Sequence, residues 1–385
     1  MSTQQFPIVG AALAAFALIV APVTVAPAQF GGPKGPIIAS PEVKADRNVA
    51  FRLHAPKAAT VAMFTSDLPG DPRPRTMKKD DRGVWELSVG PVDPGTYRYL
   101  FQVDGVLTAD PRNQAVSESN GNVWSLVHVP GSSFMDATNV PHGAVARIHY
   151  RSTALGKDRR MHVYTPPGYH AGSDKHPVLY LLHGAGDSDD SWTSVGRANF
   201  ILDNLIAAKK AKPMLVVMPN GHTGAFSWIM PTERPKDAGP VGNTKFEDDF
   251  LSDIIPPVEN NYRVLTSPAN RAIAGLSMGG NQTINIVFAR PKDFGYAGVF
   301  SSGLIFEKTS DWEKSRKAAL AEAKENLKLL WFATGSEDFL IGRTKETAAM
   351  LEKNGLQPVV NTTSGGHTWI NWQRYLHEFA PKVFQ

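Results

Sequence analysis

The chain contains no cysteine among its 385 residues, which excludes disulfide staples, thiolate metal sites and a cysteine nucleophile together. Two-histidine zinc motifs of the H-E-x-x-H type, glycine-rich dinucleotide fingerprints and phosphate loops are also missing. His162, His170 and His176 are scattered along a Gly/Pro-rich stretch without metal-ligand spacing. No metal or cofactor is expected. Dense runs of one charge are lacking as well: Arg73, Arg75, Lys78 and Lys79 come nearest, and acids follow them directly. A formal net charge of +4 without a basic stripe argues against a nucleic-acid partner. What is present, 42% hydrophobic and 20% charged residues, is a globular composition long enough for two domains.

Charge is also absent from the first thirty residues, and from Ile8 to Val20 the chain is apolar or small. Ala26-Pro27-Ala28 supplies the small-x-small pattern of signal cleavage, so residues 1–28 are expected to be an export signal and the protein secreted or periplasmic. An uncleaved anchor is the alternative, since the segment begins without Lys or Arg. The apolar run is short for a span and is ended by Pro22 and Pro27, so no stable membrane insertion is expected after cleavage.

Residues 29–40 read as a linker, with Gly31-Gly32-Pro33 and Gly35-Pro36. From 41 to 130, strand-like segments at 49–54, 60–65, 84–89, 97–103 and 123–129 are separated by turn residues, including the hairpin dipeptide Asp104-Gly105. This spacing predicts an all-β, immunoglobulin-like sandwich. Tyr97, Tyr99 and Phe101 share one strand face, expected to pack its core rather than form a sugar platform. A second linker, 131–144, follows. From 145 to 385, buried apolar strands at 178–182, 214–218, 271–275, 297–301 and 327–334 alternate with helical segments, including one over 246–261 that Pro256-Pro257 must kink or divide. That alternation predicts an α/β domain with a parallel sheet.

Ala272-Ile273-Ala274-Gly275-Leu276-Ser277-Met278-Gly279-Gly280 places G-x-S-x-G between a strand and a helix. There the glycines let backbones pass closely and leave the Ser277 hydroxyl exposed as a nucleophile. A serine needs a base, and the base an acid, in the order Ser, acid, His. His367, in the loop Ser364-Gly365-Gly366-His367-Thr368-Trp369, is the candidate base. His377 lies in a helical pattern and reads as a surface residue. The acid should follow the strand ending at Gly335, where Glu337 and Asp338 are both available. Two N–H donors must meet the oxyanion. Met278 supplies one and the loop His183-Gly184-Ala185-Gly186 the other, with His183 itself an anchor for that loop. Asp187, Asp189 and Asp190 read as a solvated turn rather than a calcium site.

These segments, with Asp190-Ser191-Trp192 and Pro219-Asn220-Gly221, resemble the esterase-D-like carbohydrate esterases, the group of feruloyl and acetyl xylan esterases. The intervals of 61 residues from Ser277 to Asp338 and 29 from Asp338 to His367 agree with that family's order. The resemblance implies an α/β-hydrolase fold, Ser277 as nucleophile, His367 as base, Asp338 as orienting acid and the Ala185 amide in the oxyanion hole, Gly184 being the alternative. Tyr97–Gly105 with Asp110-Pro111-Arg112-Asn113 resembles the glycogen-branching-type carbohydrate-binding modules. The implied activity is a serine esterase acting on feruloylated or acetylated xylan or its oligosaccharides. A siderophore trilactone esterase and a glycan-binding, mycolyl-transfer-like protein are the alternatives. Trp228 and Trp369 are candidate substrate-binding residues. No sequence feature sets an oligomeric state. Because the sandwich carries none of the triad, a chain beginning near His142 is expected to keep turnover of small esters and lose efficiency on polymeric xylan; the rival expectation is a sandwich that completes the pocket, so that truncation impairs both.

Overall fold

A computed structural model describes residues 35–70, 73–224 and 244–385. The expected export signal and Trp228 lie outside them. No helix among the described residues is long and apolar enough to cross a membrane.

The sandwich forms where alternation predicts it. One sheet orders Glu42–Val43, Val49–His54, Val84–Val89 and Lys78–Lys79; the other orders Arg75–Thr76, Val61–Phe64, Gly95–Val103, Val123–Val129 and Val116–Glu118. Asp104 (φ 47°) and Gly105 (φ 89°) make the two-residue turn that pairs Val103 with Val106, as a type I′ hairpin requires. Tyr97, Tyr99 and Phe101 are buried in the sandwich core. The opposite face of this strand, Arg98 and Leu100, is buried too. An outer sandwich face is ordinarily half solvated, so something covers it.

The cover is the second layer. Its eight-stranded sheet begins with the antiparallel hairpin Ala144–Ser152 and Lys157–Thr165. It continues through Leu215–Pro219, Val178–Leu182, Arg271–Leu276, Tyr296–Phe300, Leu329–Gly335 and Pro358–Thr363, all mutually parallel. Tyr180 and Leu182 enter one hydrophobic cluster, Leu179 and Leu181 the other, so the sheet is buried on both faces. This is the α/β-hydrolase arrangement with an N-terminal all-β domain. The 246–261 segment divides as expected. A π-helical stretch, Phe250–Ile254, precedes Ile255–Asn261, whose first turn carries the two prolines at positions where a missing N–H is least costly.

The segment 131–143 does not behave as a free tether. Met135 is buried in the hydrolase core, and Asn204 on the helix Ala198–Ala207 donates to the carbonyls of Phe134 and Asp136. The sandwich also meets the catalytic layer directly. Ile370, on the helix Trp369–Phe379, packs against its core, and a Cβ on Gly95 would lie 2.4 Å from Ile370 Cδ1.

Candidate active site

The strand Arg271–Leu276 runs into the helix Met278–Ala289 with Ser277 between them at φ 51°, ψ −115°. This is a backbone conformation that L-residues rarely hold. Packing enforces it. A Cβ on Gly275 would lie 2.4 Å from the Gly279 backbone, and one on Gly279 would lie 2.6 Å from the His183 carbonyl. The Ser277 N–H donates to Phe300 O at 2.9 Å, and the Ser302 hydroxyl donates to Ser277 O at 2.6 Å. The elbow is thereby pinned from the next strand.

His367 arrives on a loop drawn tightly over the end of Leu329–Gly335. Ser336 N donates to Thr363 O and Glu337 N to Gly365 O, and a Cβ on Gly335 would meet Gly365 O at 2.0 Å. Asn371 Nδ2 donates to Gly366 O at 2.8 Å and holds the loop from below. The outcome is one hydrogen-bonded line. Ser277 Oγ lies 3.0 Å from His367 Nε2, and His367 Nδ1 lies 3.0 Å from both Asp338 oxygens. An ionised carboxylate only accepts, so Nδ1 carries the proton and Nε2 is free to take one from the serine. Burial works to raise the Asp338 pKa. The hydrogen bond and charge of His367 and the Leu340 amide outweigh it and hold the carboxyl below its ordinary value. Glu337, the other available acid, is exposed. His377 sits on its helix against Phe134.

The loop opposite Ser277 is built around Asp187. Its Oδ2 accepts from Gly184 N at 3.1 Å, and its Oδ1 accepts from Arg98 Nη1 at 2.8 Å and from Trp369 Nε1 at 3.3 Å. The Gly184 amide is therefore engaged, and the next residue of the loop, Ala185, lines the cavity beside Ser277. Met278 opens its helix, so its N–H has no intrahelical acceptor and adds the dipole's positive end. His183 anchors the loop, donating from Nδ1 to Gly184 O and accepting from Gly221 N at Nε2.

Two sequence expectations are corrected here. Trp369 is not a pocket residue: it is fully buried, edge-on to Trp192 and Trp372, with its indole N–H on Asp187. Trp372, one helical turn further on, lines the pocket instead. The Asp187-Asp189-Asp190 cluster is not a solvated turn, because its carboxylates tie the two layers together. Asp187 takes Arg98; Asp189 takes Arg160 and His162; Asp190 accepts the Glu118 amide at 3.0 Å. Burial opposes charge on Asp189, yet His162 and Arg160 prevail and hold it at about 2.

A cavity of about 580 Å³ opens over Ser277 and His367, and its catalytic-layer wall includes Ala185, Phe339 and Trp372. The facing wall is sandwich: Phe64, Arg98, Leu100 and Trp124. A chain starting near His142 would lose that wall while keeping Ser277, Asp338 and His367. Arg98, Trp124, Phe339 and Trp372 were all missed in the sequence. Only Leu100 and Arg98 carried a signal, as the off-phase members of the Tyr97-Tyr99-Phe101 alternation.

Fold and elbow together define an α/β-hydrolase. A family model described as Esterase matches residues 152–383, and the chain belongs to that family. Carbohydrate-binding module 48 (Isoamylase N-terminal domain) matches residues 39–114. Both halves of the resemblance read from the sequence hold. An endo-1,4-beta-xylanase/feruloyl esterase of Xylanibacter ruminicola is 30% identical over 357 residues, covering 90% of this chain and 46% of the relative. The chain thus spans less than half of that protein. A solved ferulic acid esterase is 25% identical with a TM-score of 0.53, covering 63% of this chain and 98% of its own. The enterobactin esterase of Shigella flexneri matches at a TM-score of 0.62 and 18% identity, over 88% of this chain and 93% of its own, a likeness of fold.

Proposed function

We propose that the protein is an exported serine carboxylic-ester hydrolase that releases a hydroxycinnamate from feruloylated xylan or its oligosaccharides. The observation that carries this reading is the continuous line Ser277–His367–Asp338 at the mouth of a largely apolar cavity. The similarity to the xylanase/feruloyl esterase of Xylanibacter ruminicola supports the acyl and glycan assignment. Ser277 Oγ attacks the ester carbonyl as its proton passes to His367 Nε2. The tetrahedral oxyanion is met by the amides of Met278 and Ala185. His367 returns the proton to the leaving alcohol, and water then releases the acid from the acyl-enzyme by the same path in reverse. Asp338 keeps Nδ1 protonated throughout. No step calls for a metal or cofactor.

The test is turnover of methyl ferulate, acetylated xylan and a catecholate trilactone by the wild type and by Ser277→Ala. The expected result is greatest kcat/KM on the ferulate and loss of all hydrolysis in a folded Ser277→Ala variant. Preference for acetate or trilactone would move the substrate assignment. Folded wild type without esterase activity would return the protein to the glycan-binding alternative.

A further inference from the structure

The cavity over Ser277 is closed by a domain whose family is described as carbohydrate-binding. On the strand Gly95–Val103 the two faces have different tasks. Tyr97, Tyr99 and Phe101 pack the sandwich interior, while Leu100, 2% exposed, and Arg98 face the catalytic layer. Beside them Phe64 and Trp124 stack with ring centroids 5.7 Å apart and planes 28° from parallel. The Arg98 guanidinium lies 5.2 Å from the Trp124 ring, fixed there by Asp67 at 2.8 Å and Asp187 at 2.8 Å. An aromatic wall held this firmly is preorganised for a flat group, whether an aryl ring or the apolar C–H face of a sugar, so which of the two meets it depends on how the ester lies in the cavity.

The reaction assigns the direction. His367 must protonate the leaving alcohol, so the alcohol lies on its side of the scissile bond. On that side Phe339 stands 75% exposed, 4.5 Å from the His367 ring, and a bulky glycan can leave into solvent past it. The acyl group takes the opposite, closed side, against the sandwich.

Building on the proposed esterase activity, we infer that the sandwich is the acyl-recognition wall of the site: Phe64, Leu100 and Trp124 bind the aromatic ring of the acid, and the domain selects the acyl group rather than the polysaccharide. The N-terminal layer is then a specificity element for aryl-substituted acids.

The test uses the full-length protein carrying Trp124→Ala or Phe64→Ala, with folding checked by circular dichroism. Phe64 is only partly buried, so its variant folds without rebuilding a core. For each protein kcat/KM is measured on methyl ferulate and on p-nitrophenyl acetate. The expected result is a fall of about tenfold or more in the ferulate-to-acetate ratio, the size of a lost aromatic contact, carried mainly by KM for the ferulate. An unchanged ratio in the folded Phe64→Ala variant overturns the inference, as does an equal loss on both esters. Since acetate turnover reports the catalytic machinery by itself, failure of the acyl wall is distinct from failure of the esterase reading, which would abolish both activities in the wild type.

Discussion

Asp338 and Glu337 are adjacent carboxylates, and the strand end separates their roles. Asp338 turns inward, buried, and accepts from His367 Nδ1 and the Leu340 amide; Glu337 turns to solvent while its backbone holds the His367 loop. Asp338→Asn should lower kcat by roughly four orders of magnitude, the loss seen when the triad acid of serine proteases can no longer set the histidine tautomer. Glu337→Gln should stay within about threefold of wild type. Steady-state kinetics on a single small ester reads both, and the reverse ranking would reassign the acid. The elbow, base and chain order were legible because G-x-S-x-G and the glycine-rich loop around His367 are local patterns with a steric cause. Trp369 misled because an aromatic beside the base resembles a pocket residue. Its side chain is drawn instead to Asp187, a partner 182 positions away that no local pattern reveals.

At the scale of elements, strands with clean alternation were readable to within a residue or two, as at Val49–His54, Val84–Val89 and Val123–Val129. Those that carry polar residues on an open face were not. Pro358–Thr363 is an edge strand ending in Asn361-Thr362-Thr363, and the hairpin Ala144–Ser152/Lys157–Thr165 places Arg and His on its solvent side. The strand Gly95–Val103 shows what alternation leaves out: it reveals that two faces differ but not what covers the second. Here the cover is the loop bearing Ala185, gripped through Arg98 and Asp187. Burial opposes the Arg98 charge, but Asp67 and Asp187 more than compensate and raise its pKa. Replacing one partner of such a pair leaves uncompensated buried charge. Arg98→Met should therefore lower the thermal midpoint. By loosening the oxyanion loop it should also reduce kcat about tenfold to a hundredfold, less than deleting a donor outright. The oxyanion is common to all esters, so that factor is expected on p-nitrophenyl acetate, and methyl ferulate should lose more because Arg98 also braces Trp124. Loss of stability with unchanged kcat in the folded protein would show that Arg98 only braces the fold.

Across the whole molecule, the junction of sandwich and catalytic layer is polar as well as apolar. Arg160 bridges Glu118 of the sandwich and Asp189 of the loop; Ser119 Oγ donates to Gly186 O at 2.7 Å, and Ser194 Oγ to Ser117 Oγ at 2.8 Å. Asp189 connects this junction to acid stability. Its folded pKa, about 2, lies below its ordinary 3.8, so the stability it contributes is complete above about pH 4 and is lost as pH falls towards 2. The shift corresponds to roughly 2 kcal/mol. In urea titrations, Asp189→Asn should be less stable than wild type at pH 7, and the gap should close by that amount towards pH 2. A gap independent of pH would place the stabilisation elsewhere.

The acyl-side wall also has a consequence for how the chain is made. Leu100, Leu126 and Trp124 are encoded before residue 130, but the parts of the second layer that cover them extend to the helix Trp369–Phe379. An N-terminal domain takes shape first during synthesis. Through most of translation this sandwich therefore carries an apolar face whose complement does not yet exist. The demand falls on biogenesis: whatever accompanies the nascent chain must shield that face until the last helix is complete.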